Sequence, residues 1–508
     1  MQIAGGKALP DEVVDQIVDR TDGVPLFIEE LTKSVLESGM PLVGIPTTLH
    51  DSLMARLDRL ASVRRVAQLG AAIGREFSYP LVCTVSRLPE EELQAALARL
   101  VASELVFQRG LDQLALLPVN PERQRQALEF RSALGTALRL VKGQAAPETG
   151  EAYARARELW EQLGSSPEYL HVPHGQSRYH MYRGELDLAM RLDEDLLRLS
   201  RQRNDSAGLV LAHYSSGRNL TLAGRFVSSR SHLEEALALY DPVSHRSLAH
   251  QAGFYPQVAS QADLGIVLFC LGYPDQALAR SSSAIAEAQR LAYPPTLAVV
   301  LARGARLLLL VGDYVALDRR AGQLIAVATE QGFPHWDAEG IIDRGWVKVK
   351  NGDVTEGLLL LHSGSNAYRK AGVEVWTPHF FALLAGACEI AGKIDEALTL
   401  LDEALQIAER TGERWFAAEL NRLKGQLLLR QGHAEAAEEL YRKALTIARE
   451  QEAKLWELRA AVRLARLRRD QDRCAEARDL LTPVYGWFTE GFDTPDLKEA
   501  KALLDELA

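Results

Sequence analysis

A glycine returns at a nearly fixed interval over most of the second half of the sequence. Gly184, Gly224, Gly272, Gly312, Gly352, Gly392 and Gly432 follow one another at a step of about 40 residues, lengthened once, between Gly224 and Gly272. Each opens a short turn followed by a helix-forming stretch, as in GYPDQAL, GKIDEAL and GHAEAAE. One further step from Gly432 reaches Asp472, just ahead of RCAEARDLL, so the pattern continues with its glycine replaced. A period of this length belongs to a chain that grows by stacking a supersecondary unit. Such an array has no single core to outgrow, which reconciles a length of 508 residues with one continuous architecture.

A second set of glycines keeps the same step. Gly265, Gly304, Gly345, Gly386 and Gly425 each stand about two helical turns before a partner in the first set. These positions are expected where the second helix of a unit crosses the first closely, and the first set where the chain turns through a left-handed residue. The stretch Ala434–Glu450 shows the second helix, with Ala437, Leu440, Tyr441, Ala444, Leu445 and Ala448 on one face. The pattern predicts an all-α fold, a tetratricopeptide-like α-solenoid of about 40-residue helix pairs over 120–508. Its inner, concave wall is expected to be built from the first helices. Two earlier helices, around Glu122–Val141 and Glu148–Leu163, begin the array.

Composition narrows the function classes. A formal net charge of -10 disfavours phosphate backbones and anionic lipid surfaces as partners. The cysteines, Cys83, Cys270, Cys388 and Cys474, form no Cys-x-x-Cys pair, which argues against a disulfide framework or a zinc site and fits a cytoplasmic setting. The N-terminus carries no apolar core of a signal peptide, and the apolar run Leu307–Val311 is too short to span a bilayer. No nucleic acid and no membrane are therefore expected among the partners.

Residues 1–112 do not follow the repeat. Helices are expected at Asp11–Asp19 and Pro25–Ser38, then at Thr48–Leu60, Arg64–Ile73, Tyr79–Val85 and Glu90–Ala102, before a short extended run at Leu105–Gln108. The pattern suggests a small winged-helix-like domain over 45–112. From Asp51 to Asp112 there are eight Lys/Arg and eight Asp/Glu, a zero balance that lacks the basic face of a DNA reader.

Several segments resemble a known family. TDGVPLFIEELTKSVLESG, IPTTLHDSLMARLDRL and IGREFSYPLV resemble the end of the nucleotide-binding module of bacterial AAA/STAND-type predicted ATPases. LGYPDQAL and PVYGWFTEGFDTPDLKEAKALLDEL resemble the tetratricopeptide tail of the same proteins, many of which carry a class III adenylate/guanylate cyclase domain. The resemblance implies that 1–40 are a remnant of ATPase lid helices, with Gly23 and Pro25 at the place of the adenine-contacting Gly-x-Pro. It also implies a sensory arm that shifts the state of a catalytic domain.

The sequence departs from that family in having no G-x-x-x-x-G-K-[ST] loop, no acidic magnesium-holding strand and no cyclase domain. A further departure is that Phe107–Gly110 runs almost directly into the array. The chain accordingly reads as a truncated or decayed member, or one half of a split gene. It is expected to bind no cofactor, with ATP reachable only through domains not in this sequence, and not to be an enzyme. Its expected role is that of a helical-repeat scaffold in bacterial signalling that binds a protein, peptide or effector on the concave face, including a separately encoded ATPase or cyclase domain. The alternatives are a part of an ATP-binding ATPase or cyclase, and the arm of a transcription regulator.

Two candidate surfaces stand out. Trp336, Trp376, Trp415 and Trp456 recur once per repeat. They form either an aromatic ladder that grips a partner or a set of rings packed between neighbouring units. The single lengthened step places extra residues in YDPVSHRSLAHQAGFYPQ, where His245, Arg246, His250 and Tyr255 are candidates for a polar ligand site. Two histidines five apart, with no third ligand evident, do not make a metal site.

Overall fold

The computed structural model describes residues 89, 92–97, 120–165, 169–245 and 248–508. The chain falls into two compact units, 1–109 and 110–508. In the first, residues 92–97 form a helix that buries Leu93 and Ala96, within the stretch expected to be helical. The Gly23/Pro25 remnant, the lid helices and most of the winged-helix-like region, including Leu105–Gln108, lie outside the described residues.

The second unit is helical from Pro121 to Glu506, with no strand among the described residues. An opening pair, Pro121–Val141 and Pro147–Gln162, is followed by a series of stacked helix pairs. Unit 1 is His171–Tyr182 with Leu186–Arg203, unit 2 Ser206–Leu222 with Phe226–Leu239, and unit 3 Pro256–Leu271 with Pro274–Leu291. Units 4 to 7 begin at Pro294, Pro334, Thr377 and Ala417, and unit 8 pairs Lys454–Asp470 with Cys474–Tyr485. A last helix, Pro495–Glu506, closes the array.

The periodic glycines are the hinge of each pair. Gly312 has φ +88 and Asp472, which replaces it in unit 8, has φ +60. At both turns the residue after the left-handed one donates to the carbonyl five residues back, Asp313 N to Leu308 O at 3.1 Å and Arg473 N to Arg468 O at 2.8 Å. These bonds satisfy carbonyls that a helix end leaves open. The Asp313 side chain then caps the second helix, accepting from Ala316 N at 2.9 Å. Of the second set, Gly345 meets the second helix of its own unit, where a Cβ would lie 2.9 Å from Leu361 N. Gly386 departs from that expectation: its Cβ would meet Trp346 of the preceding unit, also at 2.9 Å.

First and second helices are buried differently. The second helices keep one buried stripe; in Ala434–Glu450 it is Ala437, Tyr441, Ala444, Leu445 and Ala448, with Leu440 at its half-buried edge. The first helices are buried on nearly every side. Every residue of Pro256–Leu271 except Gln257 and Gln261 is buried. The cause is that the superhelix winds back onto itself after five units. Tyr182 O of unit 1 accepts from Glu374 N at 2.9 Å, just before unit 6, and Leu222 O of unit 2 accepts from Arg414 N at 2.8 Å and Trp415 N at 3.0 Å, just before unit 7. Phe269 of unit 3 packs edge-on against Trp456 of unit 8, with ring centroids 6.0 Å apart. The tail seals the contact: Glu490 accepts from Asp275 N at 3.0 Å and Gln276 N at 3.1 Å.

Two expectations change as a result. The inner wall of first helices is a filled interior and not an open groove for a partner. The apolar run at Leu307–Val311 belongs to a longer helix, Pro294–Val311, that is long and apolar enough to cross a membrane; 78% of that window is buried inside the protein, which makes it a core helix.

Candidate functional site

The filled interior is polar. Residues four apart share a helix face, and the first helices set their inward face with charged and aromatic groups. Unit 1 supplies His174, Arg178 and Tyr182; unit 2 supplies Tyr214 and Arg218; unit 5 supplies His335, Glu339 and Asp343. Units 3 and 4 add Asp263, Arg303 and Arg306.

The buried Arg303, Arg306 and Arg422 and the half-buried Arg459 each have a carboxylate. Arg303 Nε donates to Asp263 Oδ1 at 2.7 Å, Arg422 Nε to Glu419 Oε1 at 2.6 Å, and Arg459 Nη2 to Asp496 Oδ2 at 2.8 Å. Arg306 donates to Glu339. Such pairing is what keeps a buried charge tolerable.

At one end of the interior the pairing stops. Arg139, Arg178 and Arg218 are 3%, 5% and 3% exposed and make no ion pair with a described residue. Arg178 Nε donates to Gln144 Oε1 and Arg218 Nη2 to the Tyr182 phenol oxygen, each at 3.1 Å. All three guanidinium nitrogens of Arg139, Nη1 of Arg178, Nε and Nη1 of Arg218, and Nε2 of His174 have no partner. Arg178, Arg218 and His174 border a cavity of about 10 Å³, the space of a single water, walled also by Tyr214, Ser215 and Asn219. Arg139 lies against Gly253.

The neighbouring groups register this positive charge and in part offset it: burial lowers the Arg218 guanidinium, yet Tyr182, Tyr214 and Asp263 outweigh burial and raise it. Burial raises the Tyr182 phenol, yet Arg218, Arg178 and Arg303 together outweigh it and bring it down to about 7. His335 is lowered to about 3 by burial, reinforced by Arg178, Arg303 and Arg218. His174 is lowered well below the usual histidine value by burial and then by Arg178 and Arg139. The nearby Asp193 does not balance the site. Its carboxyl, pushed up to about 7 by burial, has its two oxygens held by Ser177 and Asn219, each at 2.6 Å.

The one lengthened step of the repeat forms the cover. Between Leu239 and Pro256 the chain makes a short helix, Leu248–Ala252, and then sets Phe254 over the arginines. The Phe254 ring lies 4.4 Å from the Arg178 guanidinium and 5.1 and 6.0 Å from the rings of Tyr214 and His174. Gly253 takes φ +72 and presses so closely on Arg139 Nη2 that a Cβ would lie 1.9 Å from it.

Of the residues singled out in this loop, His245 and Tyr255 do not line the cavity. His245 is buried, with Nε2 2.9 Å from Ser206 Oγ and Nδ1 accepting from Asp241 N at 3.0 Å. Tyr255 donates its backbone N–H to Thr296 Oγ1 at 2.9 Å and meets Tyr293 edge-on. Arg246 and the His250 side chain lie outside the described residues. The four tryptophans are buried in the core, Trp336 and Trp376 at 2% and Trp415 and Trp456 at 0% exposure. Trp456 Nε1 donates to Trp415 O at 3.1 Å, and Trp376 and Trp415 meet edge-on at 5.0 Å. They pack unit against unit and turn against turn. Among the described residues, no three His, Cys, Asp or Glu side chains come together as metal ligands would.

A tetratricopeptide repeat family profile matches residues 379–450, the span of units 6 and 7. The fold is a tetratricopeptide-like α-solenoid. An uncharacterized protein of Rhizobium meliloti (strain 1021) is 25% identical over 215 residues, which are 42% of this chain and 21% of that protein. The chain thus spans about a fifth of the length of this curated relative. Among solved structures, a Rap protein complexed with competence and sporulation factor aligns over 71% of this chain and 98% of its own, at 13% identity and TM-score 0.51. A signal transduction ATPase with numerous domains and a tetratricopeptide repeat sensor from Pyrococcus horikoshii aligns over 99% of this chain and 72% of its own, at 14% identity and TM-score 0.40. The first likeness establishes the fold alone and the second adds nothing to it.

The arginine cluster was missed in the sequence, although a signal for it exists. Arg178 and Arg218 are one repeat apart, as are Asp263 and Arg303, and Glu339, His379, Glu419 and Arg459 follow at the same step. Charged residues that recur in register on otherwise apolar helices mark a shared inward face.

Proposed function

We propose that this chain is a non-catalytic helical-repeat arm of a bacterial signalling system, of the kind found as the sensory or regulatory part of a STAND-type ATPase–cyclase protein. It binds a protein or effector and shifts the state of a catalytic partner, such as a separately encoded ATPase or cyclase domain. The observation that carries this reading is the interior in which units 1 to 3 bond or pack directly against units 6 to 8. In such a closed winding, a change of fit at one unit is felt by the unit five places on, so the whole array behaves as one element with coupled parts. The tetratricopeptide match and the resemblance of the terminal segments to such ATPases support it, as does the Rap likeness, since that protein was solved with a bound factor.

Calorimetry tests the reading. The purified chain titrated with Mg-ATP is expected to give no binding heat, and titrated with the ATPase or cyclase domain it is expected to give saturable binding. Turnover of ATP by the chain alone, or no binding to any such domain, would overturn it.

A further inference from the structure

We propose that Tyr182 is the counter-charge of the arginine cluster, a phenolate held by Arg218 and flanked by Arg178, and that its protonation loosens the seam between unit 1 and the second round. The ligand of this device is a proton, so it holds or fails independently of the scaffold reading.

The phenol oxygen of Tyr182 meets a donor and no acceptor. Arg218 Nη2 donates to it at 3.1 Å, and among the described residues no group accepts a hydrogen bond from it. A buried neutral phenol usually finds an acceptor for its O–H, whereas a phenolate only takes bonds. Two other buried tyrosines supply the contrast. Tyr214 Oη receives no guanidinium N–H and has no partner. Burial holds Tyr214 and Tyr368 above the usual tyrosine value, so both stay protonated.

Charge balance points the same way. Arg139, Arg178 and Arg218 hold no carboxylate among the described residues, and Asp263 Oδ1 is taken by Arg303. The guanidiniums of Arg218 and Arg178 lie 4.9 and 5.6 Å from the centre of the Tyr182 ring, so one negative charge on the phenol serves both. The other titratable groups turned toward it do not take that part. His174 on the same helix and His335 of unit 5, edge-on at 5.7 Å, are kept neutral by burial and by these arginines. Asp193, on the second helix of unit 1, spends its oxygens on Ser177 and Asn219. Arg303 of unit 4 adds to the pull of Arg218 and Arg178, and together they outweigh burial at Tyr182.

Tyr182 also ties the two rounds. Its carbonyl accepts from Glu374 N at 2.9 Å and Val375 N at 3.4 Å, just ahead of unit 6. The Glu374 side chain itself turns to Arg410. Protonating the phenol leaves Arg178 and Arg218 to repel each other around the residue that carries this seam bond. The folded phenol lies below its ordinary value near ~10, so its contribution is complete above that value and is lost as pH falls through about 7.

The test is a pH titration of the full chain, followed by the near-ultraviolet absorption of tyrosinate. One of the 14 tyrosines is expected to ionise near pH 7, ahead of the rest. The step is expected to be absent in Tyr182→Phe and, in denatured wild type, to move to the ordinary ~10. Asp193 and Glu413 titrate in the same range, but carboxyls add nothing to this band. Hydrogen exchange at the Glu374 amide gives the second readout. Corrected for the intrinsic rate, it is expected to be several-fold faster at pH ~6 than at pH ~8 in the wild type. That difference is expected to shrink in Tyr182→Phe, which leaves Glu413 in place. Ionisation of every tyrosine only in the ordinary alkaline range would overturn the counter-charge. Exchange at Glu374 that follows pH alike in both chains would overturn the switch.

Discussion

The guanidinium of Arg306 lies 3.7 Å from the centre of the Trp376 ring while it donates to Glu339, joining units 4, 5 and 6 through one side chain. Trp376 is a left-handed residue, φ +70, at the mouth of its helix. Its backbone N–H is held by both oxygens of the buried Glu413, at 3.1 and 3.0 Å. A bulky residue in that conformation is strained and persists only where its surroundings impose it.

Trp376→Ala is therefore expected to cost about 3–5 kcal/mol, the usual loss for a deleted core aromatic. Urea unfolding measures it. An unchanged midpoint would mean that the ring contributes nothing to turn-to-turn packing.

Glu413 gives a pH-dependent companion. Burial lifts its carboxyl to about 7, against bonds from Trp376 and Trp415 that lower it. Its folded pKa is above its unfolded value near 4.5, so its contribution is fully present below pH ~4.5 and is lost as pH rises through about 7. Relative to Glu413→Gln, the wild type is expected to lose a few kcal/mol between pH 4.5 and 8. Paired melts across that range check the slope, and parallel curves would contradict it.

His335 behaves in the opposite sense. Buried, with both ring nitrogens unpartnered, it is lowered to about 3. Its contribution is present above the unfolded value of 6.5 and is lost as pH falls toward about 3. His335→Phe keeps an aromatic ring and removes the titration. The variant is expected to gain on the wild type progressively as pH drops below 6.5, read as the difference in Tm.

Asp472 offers a local test of the turn. It is exposed and holds φ +60, where seven other units place glycine. Asp472→Gly is expected to stabilise by about 1 kcal/mol, since a left-handed non-glycine residue costs roughly 1–2. The converse change, Gly312→Ala at φ +88, is expected to destabilise by a similar amount. Chemical denaturation of the two variants gives both signs.

Arg303→Met strands Asp263, whose Oδ1 it now pairs at 2.7 Å in a site 3% exposed. Breaking one half of a buried pair is expected to cost about 3–5 kcal/mol. Arg218→Met, at the unpaired end of the same interior, lacks that penalty, and comparing their urea midpoints tests whether the two ends differ as described.

Much of the architecture was legible because periodic sequence maps directly onto periodic backbone. The glycines at Gly184 to Gly432 needed only their left-handed φ to be recognised, and Asp472 followed by arithmetic. The opening helices were placed to within a residue of Pro121–Val141 and Pro147–Gln162. What could not be read was pitch. Whether the winding closes after five units depends on small rotations summed over ten helices, and no local pattern states that sum. Because the pitch was hidden, so was the filling of the interior, and with it the meeting of Arg139, Arg178 and Phe254 from three separate stretches. The loop was singled out for His245 and Tyr255, the polar residues in view, whereas its apolar Phe254 is the one that reaches the arginines. The tryptophan series carried two readings in the sequence, and burial at 0–2% places the rings in the packing between units.

A coil whose rounds touch cannot be lengthened at an arbitrary point. Inserting or removing one helix pair between Leu222 and Arg414 would shift every later unit by one place against the round beneath it. Leu222 would then face the wrong backbone amides and Phe269 the wrong ring. Open arrays add and lose repeats freely during descent; here only whole-round changes, or changes at the ends, preserve the seams. Natural variants of this solenoid should accordingly vary in loop length, as the stretch before Pro256 does, far more readily than in the number of internal pairs.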